Sequence, residues 1–130
     1  GRPDIFRPGF CEALQQHVYQ LFDAPEFDVL VACVGETICG FAAVQYVDRP
    51  ESAYLCARRF YHIEEFGVDE GFRRRGIGSR LLDAAGAWAK QRGARRLQLN
   101  CDDQNLPAMR FYEARNWIRT HLFNYFKFNF

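Results

Sequence analysis

The chain has almost no charge of one sign to spare: 17 basic and 16 acidic side chains leave a net charge of +1 over 130 residues. No global field therefore argues for nucleic acid or an anionic membrane surface as a partner. The chain also lacks an apolar run long enough to cross a bilayer, and its first residues lack the charged and apolar blocks of a signal peptide. The five cysteines, Cys11, Cys33, Cys39, Cys56 and Cys101, are odd in number and include no C-x-x-C pair or Cys/His spacing suited to zinc. They read as reduced thiols of a cytoplasmic protein without a metal. Internal repeats, low-complexity tracts and interdomain linkers are absent as well. At 48% hydrophobic content, 130 residues supply one packed core and not two, so the expectation is a single domain over 1–130 that takes a small ligand.

What is present is a succession of short elements. Phe10, Leu14, Val18 and Leu21 recur at helical spacing, which predicts a short amphipathic helix ending before Pro25. Two β-rich runs, 29–34 and 38–44, flank Gly35-Glu36 and predict an antiparallel hairpin. The polar stretch 48–52 reads as a loop before the extended run 59–68. Leu81, Leu82, Ala85, Trp88 and Ala89 form the apolar stripe of a helix, which Gly93 can end in a left-handed cap. A strand is expected at 97–101. Asn105 before Leu106-Pro107 fits an N-cap, and Ala108, Phe111 and Tyr112 share the buried side of the helix that follows, which Asn116 can stop. The aromatic segment 117–130 reads as one further strand.

A strand ending at Val68, a polar turn, two glycines and then a helix is a geometry that seats an anion on backbone N–H groups. Arg73, Arg74 and Arg75 add charge to the positive end of that helix. Two nucleotide motifs fail here. The dinucleotide fingerprint needs glycine or alanine where Leu81 stands, and the ATP P-loop needs lysine where Ile77 stands.

What survives is R-x-x-G-x-G, spelled Arg73-Arg74-Arg75-Gly76-Ile77-Gly78 and followed by Ser79, which resembles the acetyl-CoA loop of GNAT acetyltransferases. A second segment, Asn105-Leu106-Pro107-Ala108-Met109-Arg110-Phe111-Tyr112-Glu113, is similar to that family's asparagine and Phe-Tyr motif. The resemblance extends over about 29–117. It implies an α/β GNAT fold: a mixed, mostly antiparallel sheet flanked by helices, with two splayed strands forming the cofactor cleft. It implies acetyl-CoA as cofactor, CoA as product, and acetyl transfer to a primary amine by direct attack in a ternary complex. By the same resemblance, main chain at Phe66 and Val68 pairs with the pantetheine arm, and N–H groups near Val68 polarise the thioester carbonyl. Arg73, Arg74, Gly76, Ile77, Gly78 and Ser79 hold the diphosphate. Arg75 faces either solvent or the adenosine 3′-phosphate. Asn105 contacts the pantetheine or diphosphate arm in addition to capping its helix.

The reaction needs a neutral amine, a polarised carbonyl and a proton for the leaving thiolate. Tyr112 matches the family tyrosine beside the sulfur and is the first choice for general acid. For the base, His62, Glu64 and Phe66 share one face of a regular strand, while Glu65 points the other way unless a bulge intervenes. Glu64 leads, because its offset from the loop resembles that of the base in diamine acetyltransferases. Carboxylates as a class titrate far below alkylamines, so its role is expected to pass through water. His62 competes, since imidazole as a class titrates near neutrality. His17 and His121 receive no role, and Cys101 reads as a small buried hydrophobe.

Relative to the family, the segment ahead of the first helix is short, so the family's first strand and the start of its first helix are expected to be missing. Phe123, Tyr125, Phe126, Phe128 and Phe130 put apolar groups on both faces of the last segment, which suggests a homodimer. Acceptor identity rests on 48–58 and the first helix, where Glu12 and Glu51, with Glu64 and Glu65, suit a cationic amine from a small molecule or a peptide. Two other readings compete. One is a catalytically silent acyl-CoA-binding sensor or assembly module, and the other is a nucleic-acid module using Arg73, Arg74 and Arg75, which the near-neutral charge disfavours.

Overall fold

The structure, a computed structural model, describes residues 12–120, 125, 127 and 128. Phe10, Cys11, His121, Phe123, Phe126 and Phe130, together with the side chain of Glu12, lie outside the described part. The chain forms two compact units, Gly1–Asn100 and Cys101–Phe130.

The first unit is a four-stranded sheet in the order β1-β2-β3-β4, with α1 and α2 against it. Helix α1 is Glu12–Phe22, β1 is Asp28–Val34, β2 is Thr37–Arg49, β3 is Arg58–Val68, α2 is Ile77–Gln91 and β4 is Leu97–Leu99. The expected hairpin forms: β1 and β2 are antiparallel, with Val34 facing Thr37 across the Gly35-Glu36 turn. β2 is longer than the sequence pattern indicates. It continues through Asp48 and Arg49, which pair with Arg59 and Arg58, so the loop begins later than expected. Burial explains its character: Ile38 to Val44 are all buried, a central strand covered on both faces that reads as one apolar run.

The two coverings are distinct. Val18 and Leu21 of α1 pack with Ile38, Phe41 and Ala43, and each such fully buried aliphatic or aromatic side chain contributes about 1.5–3 kcal/mol. Gln15 pins α1 in place by donating from Nε2 to the Ile38 carbonyl, though its own Oε1 is buried without a hydrogen-bond partner. On the opposite face, Ile77 Cγ2 and Leu81 Cδ2 of α2 are the side-chain atoms nearest above Gly40. Leu81, Leu82, Ala85 and Ala89 are buried as the stripe predicts. Gly93, at φ 79°, ends that helix: Ala94 N donates to the Ala89 carbonyl at 3.1 Å, the long-range bond of a left-handed cap.

β4 is shorter than the expected 97–101 and runs parallel to β3, with Tyr61, His62 and Ile63 facing Leu97, Gln98 and Leu99. In the second unit, α3 is Leu106–Glu113. Asn105 Oδ1 accepts from Ala108 N at 3.3 Å, the expected N-cap, and Asn116 follows the helix at φ 67°. The strand expected over 117–130 is not found at 117–120, which carry no strand pairing, and much of the remainder lies outside the described residues. Cys101 is exposed and not the buried hydrophobe its residue type favours, since β4 ends before reaching it.

Candidate active site

Strand β3 is irregular at the position that matters. Ala43 faces Glu65 and Val44 faces Ile63, so Glu64 is an extra residue with no partner of its own on β2. A bulge shifts the alternation of everything beyond it. Gln45 faces His62 and Ala43 faces Glu65, and these two β2 residues share the α1 side of the sheet. His62 and Glu65 therefore lie on one face. Phe66, opposite Ala42, and Val68, opposite Gly40, lie on the α2 face. This corrects the regular-strand expectation that His62, Glu64 and Phe66 share a face and that Glu65 points away.

Both histidines of this face meet a glutamate. His17 Nε2 of α1 is 2.6 Å from Glu65 Oε1, both side chains about 40% exposed, and the His17 ring stands edge-on to Phe41 at 5.6 Å. His62 is 8% exposed, and its Nε2 is 3.6 Å from Glu64 Oε1. On its other side, His62 Nδ1 is 3.3 Å from Gln98 Nε2, the residue that faces it on β4. An amide nitrogen donates, so Gln98 suits the tautomer of a neutral His62 in which Nδ1 accepts and the Nε2 proton lies on the Glu64 side. The His17–Glu65 pair and the Gln98 contact were missed in the sequence. They join residues 48 and 36 positions apart, and no local pattern announces either.

Past Ile63 the β3–β4 pairing stops, while β3 continues to Val68. One edge of Glu64, Glu65, Phe66, Gly67 and Val68 thus has no β4 partner. At the end of that edge Asp69 N donates to the Cys39 carbonyl at 2.7 Å, and Asp69 Oδ1 accepts from Gly71 N at 3.1 Å, opening a 3₁₀ turn over Glu70–Phe72. The three arginines follow, all exposed. Arg73 Nε donates to the Val68 carbonyl at 3.2 Å, and the Arg75 guanidinium lies 5.2 Å from the centre of the Phe72 ring. Arg74 has a φ of 65°, uncommon for a residue with a side chain, and Gly76 a φ of 76°. Two left-handed positions so close together curl the chain into the start of α2. Arg80 N closes onto the Gly76 carbonyl at 3.1 Å, and Gly76 as N-cap supplies no side-chain hydrogen bond to the N–H groups of the first turn.

In the second unit, Tyr112 sits half-buried on α3. Its ring lies 5.5 Å from Phe111 and 6.0 Å from Trp117. Burial raises the Tyr112 phenol above its ordinary value, and the neighbouring Cys101 thiol pushes it the same way. The phenol is therefore held in the protonated form, the form that donates. Among the described residues no group of three or more His, Cys, Asp or Glu side chains is placed to hold a metal ion. No helix among them is long and apolar enough to cross a membrane.

Comparison with known proteins bears on the family and the fold. A GCN5-related N-acetyltransferase of the Arabidopsis thaliana chloroplast is 33% identical over 100 residues, which are 74% of this chain and 34% of that protein. The chain thus spans about a third of the length of that relative. A Bacillus halodurans protein solved as a tetramutant matches with a TM-score of 0.73 at 25% identity, over 98% of this chain and 82% of its own. An aminoglycoside N-acetyltransferase in complex with CoA matches with a TM-score of 0.70, over 91% of this chain and 87% of its own, and at 16% identity that likeness is one of fold. The Acetyltransferase (GNAT) family matches residues 3–117, and on that match this chain belongs to the GNAT acetyltransferase family.

Proposed function

We propose that the chain transfers an acetyl group from acetyl-CoA to a primary amine, by direct attack in a ternary complex. The observation that carries this reading is the strand edge over Glu64 to Val68, which loses its β4 partner at the bulge and leads into the arginine loop and the start of α2. The residues present fit the cofactor: exposed guanidinium groups, a left-handed glycine and a helix start converge where a diphosphate needs donors and positive charge. Arg73, Arg74, Arg75 and the N–H groups following Gly76 would hold it, and the main chain at Phe66 and Val68, beyond the end of β4, would take the pantetheine arm. When bound, acetyl-CoA supplies the acetyl group as a thioester.

Glu64 accepts the amine proton, directly or through one water, and His62 positions that carboxylate from the buried side. Gln98 orients His62 in turn. Tyr112, kept protonated by its burial, gives a proton to the departing thiolate, and Asn105 holds the start of its helix. The aminoglycoside acetyltransferases among the fold neighbours make a small-molecule amine the first acceptor class to try, with peptide amines second. The exposed aromatic rings of Tyr125 and Phe128 support a homodimer, which a monomeric mass at micromolar concentration would exclude.

The test is mass spectrometry of products after supplying acetyl-CoA and a mixed amine library. An acetylated amine together with free CoA supports the reading and identifies the acceptor. Tight CoA binding with no turnover on any amine would assign the chain to acyl-CoA sensing.

A further inference from the structure

The N-terminal end of β3 gathers cations that the proposed chemistry does not use. Arg59, Arg92 and Arg95 line, with Tyr46, Tyr61 and the chain at Gly93, a cavity of about 310 Å³. Beside it Arg58 faces Arg49 across the β2–β3 pair, and Arg96 gives its carbonyl to Tyr61 N at 3.0 Å. Asp48, 3.4 Å from Arg59 Nε, is the one carboxylate paired with any of these arginines among the described residues.

Helix α2 accounts for part of the cluster. Arg92 Nη1 donates to the Trp88 carbonyl at 3.1 Å, and its guanidinium lies 3.9 Å from the centre of the Trp88 ring, a favourable place at the negative end of a helix. Arg49, Arg58 and Arg59 arrive from the strands and gain nothing from that end. Like charges on facing positions, as at Arg49 and Arg58, work against the pairing of their own strands. In a chain of net charge +1, such a gathering is a local excess. The walls are aromatic: the Tyr46 and Tyr61 rings lie 5.1 Å apart, and Tyr46 is 49% exposed.

We propose that this cavity binds a small organic anion with a planar body, its phosphate or carboxylate taken by the guanidinium forks of Arg59 and Arg95 and its plane set against the tyrosine rings. Its volume falls at the small end of the range for small-molecule sites, about 300–1,000 Å³. A groove for single-stranded nucleic acid follows several phosphates in turn, whereas this is one recess. The site is separate from the arginine loop. From Phe60 to Val68 the strand covers about 26 Å at its usual rise, so CoA and this anion do not compete.

Trp88 is a built-in reporter, 5.0 Å from Tyr61 and stacked with Arg92. A Trp117→Phe chain, saturated with CoA to fill the loop, is titrated with AMP, adenosine and inorganic phosphate while Trp88 fluorescence and binding heat are followed. AMP is expected to bind saturably and at least about tenfold more tightly than adenosine or phosphate, which carry the body or the charge alone. Arg95→Glu is expected to weaken AMP by about tenfold or more and to leave CoA affinity unchanged. Arg95 is exposed, and CoA binding by the variant checks that it is folded. The proposal is overturned by absence of saturable AMP binding, by equal AMP affinity in Arg95→Glu, or by an octauridylate that binds more than about a hundredfold more tightly than AMP, which makes the surface one for nucleic acid. No readout needs turnover, so the result stands apart from that of acetyl transfer.

Discussion

The two halves of β3 share one neighbour and differ in the other. From Arg58 to Ile63 the strand is paired with β2 throughout and meets β4 at Tyr61, His62 and Ile63. From Glu64 to Val68 it keeps β2 and has no β4 partner. In the first half Tyr61, His62 and Ile63 are held by strands on both sides, and the arginines ahead of them are left to the side chains around them. The second half lies beyond the end of β4, and sheet edges are where extended ligands add on. A single inserted residue marks the border. The bulge falls where the β4 pairing ends; it leaves Glu64 without a β2 partner and brings Glu65 onto the His62 face.

Removing that residue should have the largest effect. Deleting Glu64 leaves Ile63 opposite Val44 and Glu65 opposite Ala43, so the sheet can keep its register while losing both bulge and carboxylate. Turnover is expected to fall by more than about 10³, with the circular dichroism spectrum retained. Glu64→Gln keeps the bulge, and its loss is expected at about 10²–10³ in kcat, with acetyl-CoA affinity unchanged. Equal rates for the deletion and the parent chain would dissolve the distinction between the halves.

Acetyl transfer also needs a proton for the leaving thiolate. Tyr112→Phe is expected to lower kcat by about 10² while CoA still binds. Because burial and the Cys101 thiol both raise the phenol above 10.0, the alkaline fall in kcat that reports its ionisation should lie above that pH. Steady-state rates across pH should show this fall in the parent and not in Tyr112→Phe.

Gly76→Ala probes the loop beyond the second half. Nothing stands within 4 Å of the added Cβ, so any effect comes from the backbone at φ 76°. A residue with a side chain pays about 1–2 kcal/mol there, and a loop that relaxes to avoid this cost turns its N–H groups away. The expected result is a rise of about tenfold in KM for acetyl-CoA with a smaller change in kcat.

The loop was legible in the sequence because each part announces itself locally: a strand end at Val68, arginines, a glycine able to take positive φ, and a helical stripe from Leu81 onward. The Asn105 cap and the Gly93 stop were legible for the same reason. The bulge was not. Glu64 lies in the run Ile63-Glu64-Glu65-Phe66, with neither glycine nor proline to mark an insertion, and its position is fixed by pairing with residues of β2 far away in the chain. Period-two reasoning then carried His62 and Phe66 to one face, where the sheet separates them. The continuation of β2 through Asp48 and Arg49 was hidden likewise, because polar residues read as loop when the strand facing them is unknown.

The smallest expected effect sharpens the comparison most. Glu64 and Glu65 are adjacent in sequence and each meets a histidine, so sequence alone could assign the base to either. Their settings differ: Glu65 is held at 2.6 Å by His17 across the α1–sheet contact, whereas Glu64 sits 3.6 Å from His62 on the residue that bulges out of register. A carboxylate engaged in a close pair serves to fasten α1 to β3, and at this exposure such a pair contributes about 0–1 kcal/mol. Glu65→Gln should therefore lower the unfolding free energy by no more than about 1 kcal/mol and change kcat by no more than about threefold. Denaturant melts and rates on the same amine, run beside Glu64→Gln, check both numbers. A loss in Glu65→Gln as large as that in Glu64→Gln would move the base to the His17 pair and make α1 part of the acceptor site.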